Sequence, residues 1–151
     1  MSRILGLDAG ERRIGVAISD PDESFALPLR SVERDAKGGR DFEALATLAR
    51  DESVSQVVVG LPLSLSGDDS AQTQRAREFA ADLKRRLGLT VHLWDERLST
   101  QEALRRVAVE GRSSGGRRGR ARQAPPAADT DALAASIILQ AYLDAKRIER
   151  S

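Results

Sequence analysis

The sequence predicts an α/β fold, a mixed five-stranded sheet with helices on both faces. Three observations carry this reading. The N-terminal part opens with strand-like runs joined by short links. A continuous β-branched run, SQVVVGLP, follows the first helical pattern, as in a strand buried on both faces. Helix and strand patterns then alternate, and such crossovers lay helices on the faces of a sheet.

Each element has its own signal. Ile4 to Leu7 and Ile14 to Ser19 read as strands joined through AGERR. In the second, Ile14, Val16 and Ile18 alternate with Gly15 and Ala17. The turn DPDES leads to a weaker third strand, Leu29 to Glu33, which completes an antiparallel meander. Phe42, Leu45, Ala46, Leu48 and Ala49 recur at helical spacing. After the β-branched run, Pro62 and Gly67 mark a loop, LPLSLSGDDS. Ser70 is placed to cap a helix from Ala71 to Leu87, with Ala76, Phe79, Ala80 and Leu83 on one side and Gly88 closing it. TVHLW is the last strand. Ser99 and Glu102 have capping-box spacing and open a helix to about Glu110. The final helix runs from Asp131 to about Lys146. Leu133, Ala134, Ile137, Ile138, Ala141 and Tyr142 spread round much of it, so it should lie against the sheet. The order is β-β-β-α-β-α-β-α-α, in a single domain over residues 1–151.

Composition excludes several classes of protein. There is no cysteine, so disulfides and thiolate metal sites are ruled out. The one histidine, His92, rules out a multi-histidine site and reads as a strand residue without chemistry. No run of about eighteen apolar residues exists, and no secretion signal is visible, so a cytoplasmic protein is expected. The net charge of +1 hides an uneven distribution. Gly111 to Ala128 reads GRSSGGRRGRARQAPPAA and carries Arg112, Arg117, Arg118, Arg120 and Arg122 with no acid. The rest of the chain is mildly acidic. This segment is too polar to order itself. It is either a solvated loop or a flexible arm for phosphates, which guanidinium groups grip at two points.

Three acids sit where a core would exclude them. Asp8 ends the first strand, Glu96 (with Asp95 beside it) ends the last, and Asp131 starts the final helix. Ligands of doubly covered sheets collect outside strand ends. If the first and last strands are neighbours, Asp8 and Glu96 meet there and the helix delivers Asp131. Converging carboxylates repel, and a divalent cation with a preference for oxygen, Mg²⁺ or Mn²⁺, removes the conflict. Two such ions roughly 4 Å apart stabilise both the attacking and the leaving oxygen of a phosphodiester displacement. Each acid also has an ordinary explanation. Asp8 suits a turn, Asp95 or Glu96 can pair with Arg97, and Asp131 suits the first turn of a helix, with Asp129 or Thr130 as its cap.

LGLDAGERRIGVAISD, VVVGLPLSLSG, WDERLST and DTDALAASIILQAYLD together resemble the YqgF/RuvX family, over Ile4 to Asp144. The resemblance implies an RNase H-like fold and a nuclease that resolves Holliday junctions or matures the 5′ end of pre-16S ribosomal RNA. It implies that Asp8, Glu96 and Asp131 form an acidic metal site, and it favours Glu96 over Asp95. It marks Gly6, Gly10, Arg13, Gly15, Gly60, Pro62, Gly67 and Arg97 as motif positions. Gly10 would ease the turn, and Arg13 and Arg97 would meet substrate phosphates. The basic segment falls where relatives carry a variable basic loop, which favours nucleic-acid contact by Arg112, Arg117, Arg118, Arg120 and Arg122.

The expected function is therefore a metal-dependent endonuclease, monomeric or homodimeric, acting on pre-rRNA or branched DNA by backbone and shape. Two alternatives stand beside it. A strand, Asp-x-Gly and hairpin also open the phosphotransferase domains of sugar kinases and actin-like ATPases, although one short domain lacks their second half. A nucleic-acid-binding ribosome-assembly factor without catalysis would use the same basic segment.

Overall fold

The computed structural model describes residues 2–63, 66, 69–97 and 130–150. The elements are β1 (Arg3–Ala9), β2 (Arg13–Ser19), β3 (Ala26–Glu33), α1 (Arg40–Asp51), β4 (Val54–Leu61), α2 (Ala71–Leu87), β5 (Thr90–Asp95) and α3 (Thr130–Arg150). The expected helix from Ser99 to Glu110, the basic segment with its five arginines, Gly67 and Asp129 lie outside the described residues.

The five strands form one sheet in the order β3-β2-β1-β4-β5. The meander is antiparallel, and β4 and β5 add in parallel to β1. The condition set for Asp8 and Glu96 to meet, that the first and last strands are neighbours, is not fulfilled, because β4 lies between them. Its all-apolar middle, Val57 to Val59, is fully buried and belongs at the centre of a sheet covered on both faces.

Side-chain alternation then sorts the strands into two cores. Leu5, Leu7, Ile14, Val16, Val57 and Val59 face one way and pack with Phe42 and Leu45 of α1 and Phe79 and Leu83 of α2. Ile4, Ala17 and Val58 face the other way, against Ala135, Ile138, Leu139 and Leu143 of α3. Helix α2 starts with the expected Ser70 cap, which forms a capping box with Thr73. It ends at Gly88 in the left-handed conformation, φ 71°.

Two expectations shift at the edges. Strand β3 begins at Ala26, not Leu29, because pairing with β2 continues past an irregularity at Val16/Ala17. Pro28 is tolerated there because β3 is an edge strand. Helix α3 runs past Lys146 because its last turns are tied to the β2–β3 turn. Lys146 Nζ lies 3.1 Å from Glu23 Oε1, and Arg147 donates to the Ser24 carbonyl at 2.9 Å. Of the apolar residues expected round α3, Ile138 is buried against the sheet. Leu133 is 43% exposed, while Ala132 and Ala135 are buried.

Small residues face the sheet there because glycines stand opposite on the strands. A Cβ on Gly6 would lie 2.6 Å from Leu139 Cβ, and one on Gly15 would lie 1.9 Å from the Asp131 carbonyl oxygen. Helix α3 therefore rests close to the backbone of β1 and β2. Gly15→Ala should cost about 1–3 kcal/mol by forcing the start of α3 outward. Gly88→Ala meets nothing within 4 Å, so its only cost is about 1 kcal/mol for the left-handed backbone. Urea unfolding of the two variants checks the order, and an equal or smaller loss at Gly15 would contradict the close packing.

Candidate acidic active site

The three acids predicted from the sequence come to one end of the sheet, on its α3 face. Asp8 lies on β1 opposite Gly15 of β2. Asp131 lies in the first turn of α3, where the helix dipole favours a negative charge. Its close approach to β2 needs the bare backbone of Gly15. Glu96 follows β5, and its backbone N–H donates to the Leu61 carbonyl at the end of β4, 3.1 Å away.

Glu96 reaches toward Asp8 across β4 because Gly60 carries no side chain. A Cβ on Gly60 would stand 2.9 Å from Glu96 Oε2 and 2.6 Å from Ile138 Cδ1. The separation of β1 from β5 is thus bridged by a missing Cβ, and direct strand adjacency is not needed.

The proximity has electrostatic consequences. Burial first, then the charge of Asp131, raises the Asp8 carboxyl above its ordinary value. Glu96 is pushed up to about 7, by burial first and then by Asp8 and Asp95. Both groups resist ionisation where they stand. Asp95 behaves oppositely. Arg97 donates from Nε to Oδ1 at 3.0 Å and from Nη2 to Oδ2 at 2.7 Å, which holds Asp95 low. The ordinary pairing weighed for this dipeptide therefore applies to Asp95 and Arg97, and Glu96 is the residue turned inward.

Arg13, expected to meet phosphates, donates from Nε to Asp131 Oδ2 at 2.7 Å. The Ser31 hydroxyl lies 3.5 Å from the same oxygen. Sequence reasoning missed Ser31. Its one signal was register with Gly15 across β2 and β3, and β3 was the least regular strand. Gly10 closes the β1–β2 turn, its N–H donating to the Arg13 carbonyl at 2.9 Å. Arg34 braces that turn from behind. Its Nη1 donates to the Gly10 carbonyl at 3.2 Å, and its Nε lies 3.4 Å from the buried carboxylate of Asp41. His92 hydrogen-bonds Gln56 at 3.0 Å and stacks on Tyr142, a packing role.

The donor set is all oxygen and the mutual repulsion calls for positive charge, so these residues suit a hard divalent cation. As the side chains stand, no three acids among the described residues close into a ready metal-holding group. Asp131 is instead engaged by Arg13.

The five-stranded sheet, its flanking helices and the acidic strand ends define an α/β protein with the RNase H-like fold. The solved structure of Thermus thermophilus RuvC in complex with a Holliday junction substrate shares that fold, with a TM-score of 0.58, 17% identity and 97% of each chain covered. The family model for RuvX, Holliday junction resolvase, matches residues 2–145, and the chain belongs to this family. A relative from Koribacter versatilis is 45% identical over 98% of this chain and 90% of its own. One from Myxococcus xanthus is 41% identical over 96% and 89%. Both carry the name "Putative pre-16S rRNA nuclease". Among the described residues no helix is long and apolar enough to cross a membrane.

The Glu96 value sets a pH dependence. Its folded-state pKa of about 7 stands above the ordinary 4.5, so the folded state binds more protons between those values. Stability of the protein in chelator should fall as pH rises from about 4.5 to about 7 and level off above. Glu96→Gln should flatten that slope in thermal melts across the range. An unchanged slope would mean that Glu96 is not held in a costly environment.

Proposed function

We propose that this chain is a divalent-metal-dependent endonuclease that hydrolyses phosphodiester bonds in structured nucleic acid. The 5′ end of pre-16S rRNA is its leading substrate and the four-way DNA junction its second. The observation that carries the reading is the convergence of Asp8, Glu96 and Asp131 from three separate elements, with the first two held above their ordinary pKa. The rRNA substrate is favoured by the name borne by relatives that align over nearly the whole chain. The junction is favoured by the description of the family.

Asp8, Glu96 and Asp131 would hold Mg²⁺ or Mn²⁺. When bound, such ions supply charge stabilisation to the attacking and leaving oxygens of the displacement. Glu96 must give up its carboxyl proton before it can serve as a ligand, so metal affinity rises with pH up to about 7. Arg13 and Arg97, paired with Asp131 and Asp95, would offer guanidinium donors to backbone phosphates. The arginines at 112, 117, 118, 120 and 122 would extend that contact along the strand. Few aromatic residues are available for stacking, which leaves backbone and shape as the basis of recognition. Family membership over nearly the whole chain favours this reading over a phosphotransferase.

Purified protein with Mg²⁺ or Mn²⁺ should cut one or both substrates. Asp8→Asn and Glu96→Gln should each lose at least about 100-fold, since even the outer partners of a metal ligand are worth 10- to 100-fold. Cutting that survives both substitutions would sink the site. Tight binding without any cutting would establish the non-catalytic assembly factor instead.

A further inference from the structure

Arg13 stands in a position that a simple phosphate contact does not explain. It begins β2 on the sheet face that carries Gly15 and approaches Asp131 beside Asp8. Its side chain is 47% exposed, and it meets Asp131 through Nε and one carboxylate oxygen. The Arg97–Asp95 pair at the end of β5 is different, a fork gripping both oxygens. Two-point pairs of that kind are built to hold, whereas a one-point, half-exposed pair exchanges easily. Glu33, cross-strand from Arg13 on β3, adds a second attraction, so the guanidinium keeps a counter-charge if Asp131 is taken from it.

Three acids gather at this end of the sheet, and Asp131 already has a cation in place. Asp8 still feels the charge of Asp131, which places the two carboxylates near each other. A divalent cation drawing on both would compete with Arg13 for the same oxygen. Released from Asp131, the planar guanidinium would present its donors beside the acids, where a substrate phosphate must lie.

We propose that Arg13 is a resident counter-cation that holds Asp131 until a divalent cation takes the carboxylate, and then turns to a substrate phosphate. The inference rests on the metal-binding reading above and makes Arg13 a positioning residue with two opposed effects. It weakens metal binding to the protein alone and strengthens nucleic-acid binding once metal is present. It also couples the two ligands, because phosphate compensates the displaced guanidinium.

Titration calorimetry with Mn²⁺ alone, in the absence of nucleic acid, tests the first effect. Arg13→Gln should bind Mn²⁺ tighter by roughly 2- to 5-fold, the size an exposed ion pair allows. Arg13→Lys should stay near wild type, and Arg13→Gln should add nothing in an Asp131→Asn background. Fluorescence anisotropy with a short structured RNA tests the second. The loss caused by Arg13→Gln should be larger with Ca²⁺, as a non-cleaving stand-in, than in chelator. Mn²⁺ affinity that is unchanged or weaker in Arg13→Gln, in a protein whose Mn²⁺ binding is lost in Asp8→Asn, overturns the counter-cation role alone. No Mn²⁺ binding by the wild type, or binding that ignores Asp8→Asn, overturns the metal reading and this inference with it.

Discussion

Absent side chains on one face of the sheet set the rest of the structure. Gly6, Gly15 and Gly60 lie on three adjacent strands, and a Cβ at each would collide with α3 or with Glu96. Their absence lets an alanine-faced helix sit against backbone and brings Asp131 beside Asp8. It also opens the passage over β4 by which Glu96 approaches. Packing and chemistry are here the same constraint. Interiors fill space closely, so a helix drawn in by glycine carries its first-turn carboxylate with it. The opposite face, filled by Leu, Val, Ile and Phe against α1 and α2, supplies the rigid platform.

That closeness has an electrostatic consequence. Two carboxylates become partly buried near further negative charge, and both are held above their ordinary pKa. The protein answers locally where it can. Arg97 neutralises Asp95 and Arg13 pairs with Asp131. The acids gather at the carboxyl ends of parallel strands, the usual place for a ligand in such sheets. An acidic site of this kind suits a cation and a phosphate arriving together, which is the chemistry proposed above.

Much of this was legible in the sequence, and the rest was hidden for physical reasons. Alternation in β2 and the unbroken apolar run of β4 reveal which strands are covered and on which faces. Ser70 and Gly88 mark the ends of α2 by local chemistry alone. The three acids stood out because each ends or begins a core element. Strand order was not readable, because parallel strands pair through long crossovers that leave no local mark. The inward face of α3 was left open because apolar residues cover much of its circumference. Only the glycines opposite select Ala132 and Ala135 over Leu133. The pairing of Arg13 with Asp131 joins residues 118 apart in sequence, which no local pattern encodes.

The central claim is that the bare backbone at Gly60 holds the Glu96 carboxylate in a buried place beside Asp8. The most direct test is a carbon-13 NMR titration of the glutamate side-chain carboxyls in metal-free protein, in the wild type and in Gly60→Ala. The atoms that the new Cβ would meet are the flexible ends of Glu96 and Ile138, so the fold should survive and the Glu96 carboxylate should move. Glu96 should titrate at about 7 in the wild type and fall toward the ordinary carboxylate range in Gly60→Ala. A wild-type Glu96 that titrates in the ordinary range, or one that stays near 7 in the variant, would contradict the account.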